Sequence, residues 1–346
     1  MRCGATPEVS TSRKTCSFSI LISVTPDRLA GACAGVNDGL MLGQGVRLPW
    51  GDIPAPVRAG IASVAGGAVV GAETCAGGFS PGAAARLTLD GGGTAFVKAV
   101  SAAQNPLSPG AYREEAVVNG WLPAHPALPR LLGTYDDGEW VALVFECVDA
   151  GTPSLPWVRS ELSAVLRALV SVQAAGTPVP AEARPIAELF EDDFGSWRTL
   201  AASPVEGLDA WTLANLDRLA SLEAGWAAAA SGDTLVHADV RADNVLVRGG
   251  SAWIVDWPWA CAGAGWVDGV LFAPSVSLQG GPAPEELMAA AYPDAPCDGV
   301  LAVLAAVAGF FTLNALQPAP QGLPTLRAHQ DASGRACREW LARLLG

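Results

Sequence analysis

Short apolar runs bounded by glycine-rich turns characterise the first half of the chain. They cover residues 69–73, 83–89, 94–100 and 141–148. Runs of this length between turn residues are typical of β-strands. Glycine-rich turns join the first three, so we expect these strands to pair with one another. A segment with helical spacing, residues 112–122, lies before the fourth.

The second half of the chain has mostly helical spacing. Helices are predicted over residues 160–174, 208–230, 285–291 and 324–345. The last begins with proline, which is tolerated at a helix start. Residues 299–316 are almost continuously apolar, which raises the possibility of a membrane span. Polar Thr312 and Asn314 and the absence of a flanking basic cluster favour a buried core helix, and no membrane partner is expected.

The length and composition suit two lobes around a cleft. The chain has 346 residues, of which 50% are hydrophobic, so it can bury a sizeable core without disulfide bonds. We expect an α+β protein with three parts. These are an N-terminal extension (1–48), a smaller strand-rich lobe (49–148) and a larger, mostly helical lobe (149–346).

Polar side chains interrupt three consecutive apolar runs in the second half. His237 and Asp239 follow the first run, Asn244 opens the second, and Asp256 follows the third. Phosphoryl transfer from ATP needs a carboxylate that orients a hydroxyl and accepts its proton, and oxygen ligands for magnesium. Asp239 suits the first task, and Asn244 and Asp256 suit the second. The alternative is that Asp239 and Asp243 are ordinary turn carboxylates.

The spacing of these residues resembles a known family. Arg241 stands two positions and Asn244 five positions after Asp239, as in a kinase catalytic loop. Together with Asp256 in its Ile-Val-Asp-Trp context, this resembles the aminoglycoside phosphotransferase family of small-molecule kinases over roughly residues 60–345. Ala238 stands where that family commonly has glycine, a small change in the loop.

The resemblance implies a bilobal protein-kinase-like fold, with a small antiparallel β-rich N-lobe and a larger helical C-lobe. The N-lobe should then carry a glycine-rich loop over the phosphates, where glycine allows backbone N–H groups to approach. The candidates are Gly77, Gly78, Phe79, Ser80 and Gly82. Lys98 interrupts the apolar run 94–100 and matches the family's phosphate-binding lysine. The alternative is an edge-strand lysine facing solvent.

Two further parts of a nucleotide site are implied. Glu115, in the predicted helix 112–122, best matches the family glutamate that pairs with the lysine, and Glu114 is the second choice because helix phase is not fixed by pattern alone. Both could instead be solvated carboxylates favoured by the helix dipole. Glu146 and Val148 are the candidates for the hinge, where backbone groups would bind adenine.

We therefore expect ATP and Mg²⁺ as cofactors and a small-molecule hydroxyl as phosphoryl acceptor. Asp239 would act as catalytic base and Arg241 would stabilise charge on the transferring group. The resemblance gives His237 and Asp268 a supporting role in the loop. A non-catalytic, pseudokinase-like nucleotide-binding module is an alternative. A protein kinase is disfavoured, because no Asp-Phe-Gly sequence follows Asp256 and the short path from Asp256 to Asp268 leaves little room for a peptide-docking activation segment.

The net charge limits the classes of molecule that the protein is expected to bind. The formal net charge is −13, with 34 acidic and 21 basic residues. Nucleic-acid binding is disfavoured because it depends on neutralising phosphates, whereas a cationic small molecule would be attracted. An acidic group could recognise amino groups of a substrate, although a solvated helix face is the simpler interpretation. Its members are Glu188, Glu191, Asp192 and Asp193.

The cysteines and the N-terminal residues give indications of the cellular compartment. The 8 cysteines are scattered and only 3 histidines are present, so neither a disulfide framework nor a zinc site is expected. Residues 1–48 include a short apolar run that faintly resembles a secretion signal. We favour instead a disordered extension, or a true start at Met41, and a cytoplasmic enzyme, since ATP would be lacking outside the cell.

Overall fold

The computed structural model describes residues 47–75, 82–203, 205–318 and 325–346. The predicted extension therefore lies almost wholly outside the described residues. In chain order, the N-terminal part contains α1 (Ala55–Ala65), β1 (Val69–Thr74), β2 (Ala83–Leu89), β3 (Thr94–Ser101), α2 (Ser108–Trp121), β4 (Leu131–Asp136) and β5 (Trp140–Glu146).

The five strands form one antiparallel sheet in the order β1-β2-β3-β5-β4. Apolar side chains lie on both faces, because one face packs under α1 and the other against α2. Ile61 of α1 contributes to the first cluster, with Leu87 and Val144 from the sheet. Tyr112 of α2 contributes to the second, with Leu143. The β3 strand is thus central and covered on both sides, which is where Lys98 lies.

The C-terminal part is mostly helical. It contains α3 (Arg159–Ala175), α4 (Ile186–Leu189), α5 (Ser196–Ala202), α6 (Ala210–Glu223), α7 (Trp226–Ala230), β6 (Thr234–Val236), β7 (Val245–Arg248), β8 (Ser251–Ile254), β9 (Cys261–Gly263), α8 (Val267–Leu278), α9 (Pro284–Ala291), α10 (Cys297–Ala315) and α11 (Leu326–Leu345). The short strands pair antiparallel, β6 with β9 and β7 with β8. The segments next to these strands carry Asp239, Asn244 and Asp256.

The predicted fold class, α+β with a β-rich and a helical part, is confirmed. One helix prediction was wrong, because residues 208–230 form two helices, α6 and α7. The break falls at Ala224 and Gly225, where Gly225 is the N-cap of α7 and its N–H bonds back to Leu222. The predicted proline start of the last helix, Pro324, lies outside the described residues.

The apolar segment 299–316 lies in α10 and ends at its C-cap, Leu316. Within the described chain it is the one helix long and apolar enough to cross a membrane, yet 67% of its most apolar window is buried inside the protein. It packs against α5, α6, α7, α8 and α11. This is the environment expected of a core helix, and Gly309 marks a close approach, since an added Cβ would lie 2.9 Å from Trp197 and Glu223 side-chain atoms.

Candidate active site

A buried aspartate holds the loop that follows β6. Asp268, in the first turn of α8, has no exposed surface. Its carboxylate accepts hydrogen bonds from the backbone N–H groups of His237 (2.9 Å) and Ala238 (2.8 Å) and from Gln173 Nε2 (2.8 Å). Ala238 has φ +66°, in the left-handed region where glycine is favoured. The carboxylate thus stabilises a left-handed backbone conformation that is energetically unfavourable for alanine.

His237 is a second support of the loop. Its Nδ1 accepts the N–H of Asp239 at 3.1 Å, so its Nε2 carries the proton that is donated to the carbonyl of Val255 at 3.0 Å. Burial lowers the pKa of His237, outweighing the nearby charge of Asp268. The ring is therefore a neutral bridge between two loops, with both nitrogens engaged.

Asp239 lies at the end of this loop with both carboxylate oxygens in contact. Asn244 Nδ2 donates to its Oδ2 (3.0 Å) and its backbone carbonyl (2.8 Å). Arg241 Nη1 lies 3.3 Å from its Oδ1. The pKa of Asp239 is raised to about 7, because burial, with smaller contributions from Asp243 and Asp256, outweighs the lowering by Arg241. Such a carboxylate is poised to exchange a proton near neutral pH.

Lys98 is held between two carboxylates from different elements. Its Nζ forms an ion pair with Glu115 of α2 and lies 2.6 Å from Asp256 Oδ1, which follows β8. Burial alone would lower the pKa of Lys98, but Asp256 and Glu115 together raise it. Burial alone would raise the pKa of Asp256, but Lys98, His237 and Arg241 lower it. Both groups are therefore charged.

The two helix glutamates have different surroundings. Glu115 is 2% exposed and contacts Lys98, whereas the neighbouring Glu114 is exposed. The pKa of Glu115 is raised to about 7, because burial outweighs the lowering by Lys98. Buried ion pairs of this kind depend on close geometry, since an unpaired buried charge is costly. The solvated alternative for Lys98 and Glu115 does not describe this structure.

The candidate phosphate loop is described only at its end. Gly77, Gly78, Phe79 and Ser80 lie outside the described residues. Gly82 has φ +111°, and an added Cβ would lie 2.5 Å from the carbonyl oxygen of Ala99. Its carbonyl accepts the N–H of Leu48 at 3.0 Å. Glycine is thus required where β2 begins, next to the strand that carries Lys98.

The candidate hinge follows β5. The Glu146 side chain is 38% exposed and pairs with Arg130 at 2.8 Å, so it faces solvent. Arg86 of β2 reaches across the sheet to this segment, where its Nε donates to Cys147 Sγ at 3.0 Å and its Nη2 lies 3.5 Å from the carbonyl of Val148. The candidate hinge segment is therefore tied to the sheet by a residue that sequence reasoning did not select.

A family model agrees with this architecture. The model described as the phosphotransferase enzyme family matches residues 72–309. The chain belongs to the phosphotransferase enzyme family. The match begins within β1, ends within α10 and includes Lys98, Glu115, Asp239, Asn244 and Asp256. The predicted family membership is confirmed. A comparison with curated proteins found no matching sequence for this phosphotransferase.

Solved structures resemble the phosphotransferase in fold. A thermostable mutant of aminoglycoside phosphotransferase APH(4)-Ia has a TM-score of 0.52 at 16% identity, covering 83% of this chain and 99% of that one. The GDP and kanamycin complex of APH(2")-IIia gives 0.53 at 13%, covering 83% and 97%. Choline kinase LicA from Streptococcus pneumoniae gives 0.50 at 14%, covering 84% and 97%. At these identities the likeness concerns the fold.

The oxygen atoms of Asn244 and Asp256 suit a magnesium ion. Asn244 uses its Nδ2 on Asp239, and within the described part of the chain its Oδ1 accepts no hydrogen bond. Asp256 uses Oδ1 on Lys98, and its Oδ2 is likewise without a hydrogen bond from the described residues. Mg²⁺ prefers such hard oxygen ligands and commonly uses one or two protein groups plus waters and phosphates.

Besides Arg86, two residues near the loop that carries Asp239 escaped sequence reasoning. Asp243 binds Arg241 through two hydrogen bonds of 3.0 Å, although the sequence suggested only a turn carboxylate. Gln173 of α3 donates to Asp268 from 95 residues away. Asp243 lies between Asp239 and Asn244, two residues after Arg241, so an ion pair with Arg241 could have been predicted from the sequence. Gln173 left no signal, because only the packing of α3 brings it to the loop.

The members of the acidic group differ in exposure. Glu188, Glu191 and Asp192 are exposed, whereas Asp193 is 6% exposed. Glu188 belongs to the short helix α4, and the other three follow it. Their recognition of a substrate remains a prediction.

Proposed function

We propose that this protein transfers the γ-phosphoryl group of ATP to a hydroxyl of a small molecule in a Mg²⁺-dependent reaction. The observation that carries the proposal is the pair of charged contacts around Lys98. Glu115 and Asp256 hold its ammonium group, and Asp256 follows the strand hairpin that Asn244 opens beside Asp239. A nucleotide-binding cation, metal-binding oxygens and a candidate base are thus linked in one site.

Asp239 is the proposed catalytic base. Its pKa, raised to about 7 by burial, lets it accept a proton from the acceptor hydroxyl near neutral pH. Asn244 and Arg241 hold its two oxygens and so fix its direction. Positioning matters because most of the gain in phosphoryl transfer comes from alignment and charge stabilisation. Arg241 would stabilise charge on the transferring group.

The nucleotide would bind between the sheet and the catalytic loop. Lys98 would contact its phosphates, with Glu115 orienting the lysine. Backbone groups of the glycine-rich loop, namely Gly77, Gly78, Phe79, Ser80 and Gly82, would cover the phosphates. Backbone groups of Glu146 and Val148 would bind the adenine ring. Asn244 and Asp256 would hold Mg²⁺, which neutralises phosphate charge when it is bound.

The net charge and the structural neighbours support a proposal for the acceptor class. Solved relatives of this fold include a kanamycin complex and a choline kinase. Both named ligands carry a hydroxyl and a cationic nitrogen, and the net charge of −13 would attract such molecules. We therefore propose a hydroxylated, amine-bearing acceptor. Because the reaction consumes ATP, we expect the enzyme to act in the cytoplasm.

The test is ATP-dependent mass gain on a panel of aminoglycosides, amino sugars and amino alcohols, with and without Mg²⁺. Asp239→Asn should retain nucleotide binding and lose most turnover, since the base is gone but its shape remains. Asp256→Ala should lose Mg²⁺-dependent nucleotide binding. Asp217→Asn, an exposed carboxamide swap on α6, is the matched control and should behave as the parent protein.

Two outcomes would contradict the assignment. Full turnover in Asp239→Asn would remove that residue from the role of base. Mg²⁺-dependent ATP binding without phosphorylation of any panel member, together with an unchanged result in Asp239→Asn, would favour the non-catalytic nucleotide-binding module.

A further inference from the structure

Arg241 has two carboxylate partners in one short loop. Asp243 accepts from its Nε and Nη2, each at 3.0 Å, in a two-point contact. Asp239 lies 3.3 Å from the remaining Nη1. The contact with Asp243 is therefore the closer and the more complete of the two. Two-point contacts between guanidinium and carboxylate groups fix orientation as well as distance.

The three groups are mostly shielded from water. The side chains of Arg241, Asp239 and Asp243 are 24%, 16% and 7% exposed. A buried charge without a partner is energetically costly. If Asp243 were removed, the Arg241 guanidinium would therefore be expected to pair with another nearby carboxylate. Asp239 is the neighbouring carboxylate already in contact with Nη1.

The short turn after Arg241 sets this geometry. Residues Ala242–Asn244 form a single 3₁₀ turn, closed by the N–H of Asn244 donating to the carbonyl of Arg241 at 3.0 Å. This turn brings Asp243 back over the guanidinium and at the same time directs Asn244 to Asp239. One turn thus controls both groups that touch the oxygens of Asp239.

We propose that Asp243 is a positioning residue that occupies two donors of Arg241 and so prevents the guanidinium from forming a two-point pair with Asp239. This inference rests on the proposed role of Asp239 as base. With Asp243 in place, only Nη1 reaches Asp239, and the base keeps a lone pair for the acceptor hydroxyl. Without it, Arg241 would turn to Asp239 and engage both oxygens.

The kinetic test compares Asp243→Asn with the parent protein and with Asp217→Asn. The expected result is a fall in kcat of about 10- to 100-fold, within the roughly 10²- to 10⁴-fold that a positioned base contributes. KM for ATP should change little, because Asp243 is not among the groups that hold Lys98. A kcat equal to that of the parent protein would overturn the proposal.

A double-mutant cycle separates positioning from a general effect on structure. In an Arg241→Ala background, Asp243→Asn should have almost no further effect, because its partner is absent. Multiplicative losses would show that Asp243 acts independently of Arg241 and would overturn the proposal. Asp243→Ser is a second variant with the same expected pattern, should Asp243→Asn fail to fold.

A measurement that needs no turnover keeps this inference separate from the proposed function. NMR of arginine Nε–H groups should show a slowly exchanging Arg241 signal, assigned by its loss in Arg241→Lys. The signal should exchange rapidly in Asp243→Asn and stay slow in Asp217→Asn. A rapidly exchanging Arg241 signal in the parent protein would overturn the contact. No phosphorylation by a parent protein with the slow signal would instead contradict the proposed function.

Discussion

Replacing Asp268 with asparagine tests the support of the catalytic loop. The carboxylate accepts three hydrogen bonds, from the backbone of His237 and Ala238 and from Gln173. Asparagine keeps the shape of the side chain but turns one acceptor oxygen into a donor. Its best placement directs the new NH₂ group at the N–H of Ala238, because that oxygen, Oδ1, accepts one bond whereas Oδ2 accepts two.

The expected cost follows from this exchange. A hydrogen bond to a charged acceptor contributes about 1.5–3 kcal/mol, and an unpaired buried N–H costs about 1–3 kcal/mol. These overlap, and removing a buried charge offsets part of the loss, since burial already raises the pKa of Asp268. We therefore expect Asp268→Asn to lower the free energy of unfolding by about 2–3 kcal/mol. Asp268→Ala, which unpairs all three donors, should lower it further.

The assay is urea unfolding followed by circular dichroism, with Asp217→Asn as the control. The kinetic counterpart is a fall in kcat, because the left-handed turn at Ala238 directs the following Asp239. An Asp268→Asn protein that unfolds at the same urea concentration as the control would refute the reasoning. So would unchanged kcat in a destabilised protein, which would mean that the loop holds its shape without the carboxylate.

Three other predictions concern tight glycines and the base. Gly82→Ala should destabilise the protein by about 1–3 kcal/mol and weaken nucleotide binding, because φ +111° and the 2.5 Å approach to Ala99 O leave no room for Cβ. Gly309→Ala should also cost about 1–3 kcal/mol by overpacking against Trp197. Gly91→Ala, with open space around it, is the control for both in thermal unfolding, and equal stability of the three variants would contradict the packing argument. Finally, kcat/KM should fall as the pH drops through about 7, because Asp239 must lose its proton to act as base and its pKa is raised to about 7. A pH profile that stays flat on the acid side would contradict that role.

Among the candidate site residues, those that are close along the chain are brought into contact by local structure. Asp239 and Asn244 stand five residues apart, and one 3₁₀ turn brings them into contact. The choice between Glu115 and Glu114 was less secure, because the apolar pattern does not fix which of two adjacent helical residues faces the sheet. The packing of α2 against the sheet buries Glu115 and leaves Glu114 in solvent.

Some features had no reliable local signal. The break between α6 and α7 falls at an alanine and a glycine within a run of helix-forming residues, so periodicity alone predicts one helix. Arg86 had no special context in its strand, yet the antiparallel sheet carries it to Cys147. Such contacts depend on strand register and packing, which many sequences with the same pattern could arrange differently.

The sequence by itself determined many of the local elements, the order of the strand-rich and helical parts, and the motif that carries Asp239, Asn244 and Asp256. Hydrophobic periodicity and short spacings encode these features, because they depend on residues within a few turns of one another. Only the tertiary structure decided that Lys98 meets Asp256 across 158 residues and that Gln173 meets Asp268 across 95. The reason is physical: a buried charge is stable only beside its partner, and packing of distant segments supplies that partner.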